Sequence, residues 1–300
     1  MSAFEAELRA RFGARVSRGQ PLAELTSFRI GGPADFALEV EDEPELGAAL
    51  GAASRCRIPA FCLGTGTNIL VSDRGVRGLV IRLGGGFREV HFDGCRAKAG
   101  AAVQFGELVA QAVAQGLAGL EFGEGIPGSV GGALIMNAGA FGGEMAPAVS
   151  AVRGADRDGT LRTLAKDEIG FFYRHSVLPP GFIVAAVEFD LIPGDREALI
   201  AKVAELKAKR AARQPQGVPN AGSIFKNPAG TFAGRLLEGC GLKGERIGGA
   251  AFSEQHANFI VNLGGARAGD VRALMDLARQ KVEQQTGVRL EPEVKLVGEW

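Results

Sequence analysis

Three hundred residues carry 34 Lys plus Arg against 34 Asp plus Glu, a formal net charge of zero, which excludes a broad charged face for nucleic acid or anionic lipid and leaves any anionic ligand to be caught locally. The length suits two domains, since single cores stop growing near this size. Neither a signal-peptide order nor a membrane-spanning apolar run is present, so a soluble cytoplasmic protein with no nucleic-acid and no membrane partner is expected.

In chain order, Phe4, Leu8 and Phe12 have helical spacing, and Phe36, Leu38 and Val40 alternate as in a strand. The stretch EDEPELGAALGAASRC reads as a helix opened by acidic residues and a proline. IPAFCLG, GTGTN and ILV then give strand, glycine loop, strand, the order expected where backbone amides face a phosphate. GVRGLVIRLG is another strand, short extended runs follow around EVHFDG and RAKAGAAV, and FGELVAQAVAQG is a helix ending near Gly116. IPGSVGGALIMNAG holds a short apolar helix, and GFIVAAVEFDLIP is a strand. The charge-rich DREALIAKVAELKAKRAAR is a long amphipathic helix broken by QPQGVPNAG, and the domain boundary is placed at its start: 1–194, itself split near 75, and 195–300. GRLLEGCG as a short helix, HANFIVNLG as a strand, AGDVRALMDLARQKVEQQTG as a long helix and VRLEPEVKLVG as a terminal strand complete a second α+β domain.

Glycine accounts for 45 residues, clustered in GGPAD, GTGTN, GEGIPGSVGG and NAGAFGG. Such clusters mark close approach to the main chain or positive φ, and also surface turns. Gly123, Gly125 and Gly128 satisfy G-x-G-x-x-G, but Pro127 lies inside and no acidic residue follows at the ribose-binding distance, against a Rossmann site. GTGTN (Gly64, Thr65, Gly66, Thr67, Asn68) is either a turn or a diphosphate loop. In FYRHS, Arg174 has the fork geometry to hold a carboxylate, while His175 reads as structural. In NAGSIFKNP, Ser223 has no adjacent histidine and no nucleophile elbow, which argues against a hydrolase. A serine without a base can still protonate a strongly basic carbanion. Lys226 and Asn227 would meet phosphate or sugar oxygens, or cap the loop. Glu291, Glu293 and Lys295 share one strand face, either solvated or with one carboxylate aimed at a site. Scattered cysteines (Cys56, Cys62, Cys95, Cys240) and histidines (His91, His175, His256) predict no metal centre.

In order, TSFRIGGPAD, GTGTNILVSD, GLEFGEGIPGSVGGALIMNAGAFGG, FYRHS, AGSIFKNPAG, GRLLEGCGLKG, SEQHANFIVN and LEPEVKLVG resemble the UDP-N-acetylenolpyruvoylglucosamine reductase family over nearly the whole chain. The resemblance implies an α+β protein: a vanillyl-alcohol-oxidase/PCMH-type FAD-binding domain followed by a smaller α+β substrate-binding domain. It further implies FAD as cofactor, NADPH as reducing cosubstrate, and a UDP-sugar, UDP-N-acetylglucosamine enolpyruvate, reduced to UDP-N-acetylmuramate in peptidoglycan precursor synthesis, by a monomer rather than an obligate oligomer.

Carried onto this chain, the resemblance puts Gly64 to Asn68 at the FAD diphosphate, with Thr65 where relatives are richer in glycine. Ile126, Pro127, Gly128, Ser129, Gly132, Asn137, Ala138 and Gly139 would pass close to the flavin and its diphosphate. Arg174 would hold the substrate carboxylate, Glu293 would polarise the same region, and Ser223 would deliver the proton to C2. Tyr173, Arg213, Lys226 and Asn227 would contact substrate. The short link after FYRHS lacks the tyrosine-bearing segment of the longer family branch. Two rivals stand beside this reading: another FAD oxidoreductase of the same fold, which has no need of the AGSIFKNP, HANFIVN and LEPE combination, and a nucleotide-sugar binding protein without flavin.

Overall fold

Phe4, Leu8 and Phe12 form one buried stripe on helix α1 (Ala3–Phe12). In the computed structural model, which describes residues 3–300, the chain divides into two compact units. The first comprises Met1–Arg18, Asp35–Thr65 and Gly78–Lys209; the second comprises Gly19–Ala34, Gly66–Arg77 and Arg210–Trp300. Among the described residues no helix is long and apolar enough to cross a membrane.

In the first unit, α2 (Glu43–Arg55) starts where the Asp42 side chain accepts from the Glu45 amide at 2.8 Å and Pro44 fills a first-turn position. It packs with α1, Leu38, Val40, Leu79 and Ile81 in one apolar cluster. Strand Ala60–Cys62 runs parallel to Val76–Leu83, with Ala60 opposite Leu79 and Cys62 opposite Ile81. A second, five-stranded sheet has the order Leu161–Ala165, Val149–Ala155, Ile183–Asp190, Arg96–Gly100, Val90–Asp93, with every pairing antiparallel. Against it lies a second cluster, to which α3 (Phe105–Ala114) contributes Phe105, Leu108 and Val109 and the short helix α4 (Val130–Ile135) contributes Val130 and Leu134.

The division differs from a single cut at residue 195 in two ways. Helix α5 (Arg196–Ala211) begins inside the first unit, because Leu199 joins the cluster of the five-stranded sheet and Lys202 pairs with Glu121 at 3.4 Å. Two early segments belong to the second unit because their apolar side chains are buried there: Phe28, Ile30 and Leu70 share one core with Leu237, Phe252, Ile260 and Leu274. Polar contacts reinforce this placement. Asn262 Nδ2 donates to Phe28 O at 3.0 Å, and Asp73 accepts from the Ala268 and Gly269 main-chain amides at 2.9 and 3.1 Å, capping α7 (Ala268–Thr286).

The second unit also holds an antiparallel sheet in the order Asn220–Ser223, Phe259–Asn262, Ala250–Phe252, Arg246–Ile247, together with α6 (Ala233–Gly239) and α7. Strand Lys295–Val297 pairs in parallel with Ile69–Val71. The expected terminal strand is shorter than VRLEPEVKLVG, because Pro292 has no N–H to give and leaves only a lone bridge to Phe225.

Candidate active site

In the first unit, Leu63 N donates to Ile81 O at 2.8 Å, the last sheet bond before the chain turns into Gly64 and Thr65. Both residues line a cavity of about 480 Å³, with Val103, Gln104, Ser129, Gly131 and Gly132 among the other lining residues. The amides of Gly64 and Thr65 donate to no group among the described residues. Ser129 caps α4 by accepting from the Gly132 amide at 3.3 Å. A Cβ on Gly64 would lie 2.8 Å from Ser129 Oγ, and one on Gly131 would lie 2.9 Å from the Ala101 Cβ, so these glycines keep loop, helix and sheet in contact. Cys62, half-buried on the cavity wall, has its thiol pushed up to about 12 by burial and contributes only as a neutral group.

The stretch before α4 is tied back to the scaffold. Ile126 N donates to Gly123 O at 2.9 Å, Pro127 is exposed, and Gly128, at φ 130°, accepts from Phe105 N at 2.9 Å. Open amides on a glycine loop, beside a cavity that added Cβ atoms would narrow, fit the diphosphate of a dinucleotide.

After α4, Asn137 is 1% exposed and both ends of its side chain are taken: Nδ2 donates to Phe172 O at 3.1 Å and Oδ1 accepts from Ala146 N at 3.0 Å. Only its main chain is left to face a cofactor. Ala138 is buried, and Gly139 opens a short pairing with Gly143–Glu144. Strands Gly170–Phe172 and His175–Val177 form a hairpin whose two-residue turn is Tyr173–Arg174. Arg174 has a left-handed φ of 57°, a conformation uncommon for a residue with a side chain, and its guanidinium sits 4.9 Å over the exposed Tyr173 ring. A Cβ on Gly139 would lie 3.1 Å from Arg174 Nη1, so that glycine leaves room for the guanidinium.

In the second unit, the strand carrying Ser223 is bulged: Asn220 faces Val261 and Ser223 faces Phe259, so that Ala221 and Gly222 stand against Ile260 alone. Gly222 takes the left-handed position with φ 72°, and Asn220 Oδ1 accepts from its amide at 2.9 Å. Ser223 is half-buried, and its hydroxyl has no hydrogen-bond partner among the described residues. Beyond it, Lys226 N donates to Glu291 O at 2.9 Å and Glu293 N to Ile224 O at 2.8 Å, which brings Glu293 beside the residue after Ser223. Asn68 completes the group, since its Nδ2 donates to Glu293 O at 3.3 Å and its carbonyl accepts from Lys295 N at 3.0 Å. Gly66 turns with φ 65°, and its carbonyl accepts from Ser27 N and Oγ; Thr67 is half-buried.

The remaining substrate-side candidates divide. Lys226 Nζ forms an ion pair with Glu291, and Asn227 Oδ1 accepts from Ala233 N at 3.0 Å, capping α6. Arg213 is exposed just beyond α5. Sequence reasoning passed over Asn258, 3% exposed, whose side chain accepts from Phe225 N at 3.0 Å and donates to Phe225 O at 2.8 Å, holding the loop after Ser223 as a strand would. Its signal was an asparagine inside the apolar run HANFIV, where a polar side chain needs a buried partner. Burial of His256, with help from Lys243 and Arg213 and against Glu238, holds that imidazole below its ordinary value; its Nδ1 accepts from Asn258 N at 3.1 Å.

Residues 34–165 match an FAD binding domain profile. With the glycine-lined cavity this defines the class: a flavin-dependent oxidoreductase with a PCMH-type FAD-binding domain and a mixed α+β second domain. Residues 214–297 match the profile of the UDP-N-acetylenolpyruvoylglucosamine reductase C-terminal domain. The chain is 50% identical over 285 residues to UDP-N-acetylenolpyruvoylglucosamine reductase 2 of Symbiobacterium thermophilum, covering 95% of this chain and 92% of that one. It is 47% identical over 304 residues to the reductase of an Anaeromyxobacter species, covering 99% and 93%. The crystal structure of the Thermus caldophilus reductase superposes with a TM-score of 0.82 at 41% identity, covering 94% of this chain and 99% of that one. The chain belongs to the UDP-N-acetylenolpyruvoylglucosamine reductase family.

Proposed function

We infer that the protein catalyses FAD-dependent reduction of UDP-N-acetylglucosamine enolpyruvate to UDP-N-acetylmuramate in peptidoglycan precursor synthesis, with NADPH as the reductant. The observation that carries the site assignment is the main-chain pairing of Glu293 with Ile224, which sets Glu293 beside the residue after Ser223, a serine whose hydroxyl has no hydrogen-bond partner among the described residues. The loop Gly64, Thr65, Gly66, Thr67 and Asn68 holds the FAD diphosphate through main-chain N–H groups. Ile126, Pro127, Gly128, Ser129, Gly132, Asn137, Ala138 and Gly139 form the surface along which the cofactor lies.

When bound, reduced FAD would supply the hydride that C3 of the enol ether takes up. Negative charge then develops at C2 and spreads into the substrate carboxylate. Arg174 holds that carboxylate through its guanidinium fork, stabilising charge where it appears. Glu293 orders and polarises the same region. Ser223 Oγ–H gives its proton to C2, completing the saturated lactyl ether, and recovers a proton from solvent. Tyr173, Arg213, Lys226 and Asn227 contact the substrate, Lys226 by exchanging Glu291 for a phosphate. On this reading the second unit is the substrate-binding domain, and the enzyme works in the cytoplasm as a monomer.

The test separates cofactor from chemistry. Purified protein is mixed with FAD, desalted and its visible spectrum recorded; retained flavin is expected. Addition of NADPH should bleach the flavin band without oxygen, and the enolpyruvyl substrate should restore it with formation of UDP-N-acetylmuramate. Retained flavin that this substrate does not reoxidise would overturn the substrate assignment.

A further inference from the structure

The hairpin that carries Arg174 has a poorly buried apolar surface: Phe172 is 60% exposed, and Tyr173 and Val177 are each 49% exposed. Phe171 packs against the core of the five-stranded sheet, and polar contacts fix the hairpin beside it. Ser176, 5% exposed, directs its hydroxyl at Leu134 O at 2.9 Å and Ile135 O at 3.2 Å, carbonyls from the last turn of α4. Carbonyls of a last turn lack the i+4 amides of a helix interior; Leu134 O also accepts from Asn137 N at 2.9 Å, and the Ser176 hydroxyl adds a bond from the hairpin to that turn. From the residues just after the helix, Asn137 donates to Phe172 O, and its other end is fixed by Ala146 N. Two side chains thus grip the hairpin from both sides of the Tyr173–Arg174 turn.

Helix α4 borders the cavity along its whole length, from Ser129, Gly131 and Gly132 at its start to Ile135 at its end. Six helical residues span only about 9 Å, and Val130 and Leu134 lock this one into the first unit's core. A left-handed Arg174 persists only if its surroundings over-determine it. With the pins removed, the turn can relax toward negative φ, and a guanidinium several bonds out swings far more than the backbone does.

We propose that Ser176 and Asn137 are positioning residues for Arg174, pinning its turn to the C-terminal end of the helix that lines the cofactor cavity. The inference rests on the reading of Arg174 as the carboxylate clamp. It gives α4 a second task, setting the height of the guanidinium against the cofactor. Displacement of a reacting group by about 1 Å costs about 100-fold in rate.

The test uses holoenzyme reduced with dithionite and mixed rapidly with the enolpyruvyl substrate, with recovery of flavin absorbance as the readout. Ser176→Ala should keep its flavin yet reoxidise about 10- to 100-fold more slowly, and Ser176→Thr, which retains the hydroxyl, should recover most of the loss. Hydrogen exchange in a peptide covering residues 170–177 should be faster in Ser176→Ala than in wild type. In an Arg174→Ala background, Ser176→Ala should add less than about two-fold, because the route through the guanidinium is already gone. Wild-type reoxidation by Ser176→Ala, or an undiminished further loss on top of Arg174→Ala, overturns the positioning role while leaving the clamp intact. Wild-type reoxidation by Arg174→Ala itself overturns the clamp, and the positioning role with it. If Ser176→Ala does not hold flavin, Asn137→Asp carries the same series, since it keeps the acceptor for Ala146 N and loses the donor to Phe172 O.

Discussion

Replacing Ser223 by alanine removes one oxygen and, on the structure, little else. The hydroxyl has no hydrogen-bond partner among the described residues, and the bulge that orients it is held by Gly222 and by Asn220 rather than by Ser223 itself. Stability should therefore change by no more than about 0.5 kcal/mol, as for a substitution away from core, cap and network. The chemical cost is much larger. A positioned acid contributes about 100- to 10,000-fold, equivalent to about 3–5.5 kcal/mol of barrier at 1.36 kcal/mol per decade. Flavin content and reduction by NADPH should match wild type, while reoxidation by the enolpyruvyl substrate, followed by rapid mixing, falls by that factor. Ser223→Cys, which keeps a proton to give, should retain part of the rate. Reoxidation of Ser223→Ala at the wild-type rate would remove Ser223 from the acid role, and loss of flavin or of the cooperative unfolding transition would refute the claim that the hydroxyl is structurally idle.

Glu293→Gln should fold and hold flavin, because the main-chain bonds of residue 293 to Ile224 and Asn68 do not involve the carboxylate; reoxidation about 100-fold slower is expected, and an unchanged rate would return Glu293 to a solvated strand face. Asp73→Ala removes both acceptors from the first turn of α7 and should cost about 1–2 kcal/mol, read as a lower denaturant midpoint; an unmoved midpoint would show that solvent caps the helix equally well. Burial keeps His256 below its ordinary value of 6.5, so the unfolded chain binds the proton more readily than the folded one. Stability should accordingly be highest above that value and fall as pH drops through it toward the folded pKa. His256→Gln should flatten this dependence between about pH 7.5 and pH 5, and parallel melting-temperature profiles for the two proteins would assign the pH effect elsewhere.

The helices were legible because burial on a helix is periodic: Phe4, Leu8 and Phe12 on α1, or Leu274, Ala278 and Val282 on α7, announce their buried face by spacing alone. The FAD-binding class was legible only through the family resemblance, since GTGTN taken alone reads as a turn or a diphosphate loop. Partnership at a distance was not. Nothing around Phe28, Ile30 or Leu70 says that their hydrophobic side chains complete a core built mainly from residues after 210. A boundary drawn at residue 195 therefore missed both insertions and cut before a helix whose Leu199 belongs to the first unit. Asn137, read as a cofactor contact, spends its side chain on Phe172 and Ala146. Asn258, given no role, replaces a missing strand partner for Phe225. The sequence by itself determined the elements and the chemical types available, because φ/ψ preference and apolar period act over a few residues. Tertiary structure alone decided which polar groups meet, because a hydrogen bond between residues 35 or 225 positions apart has no period, only a geometry that exists once the chain has closed around it.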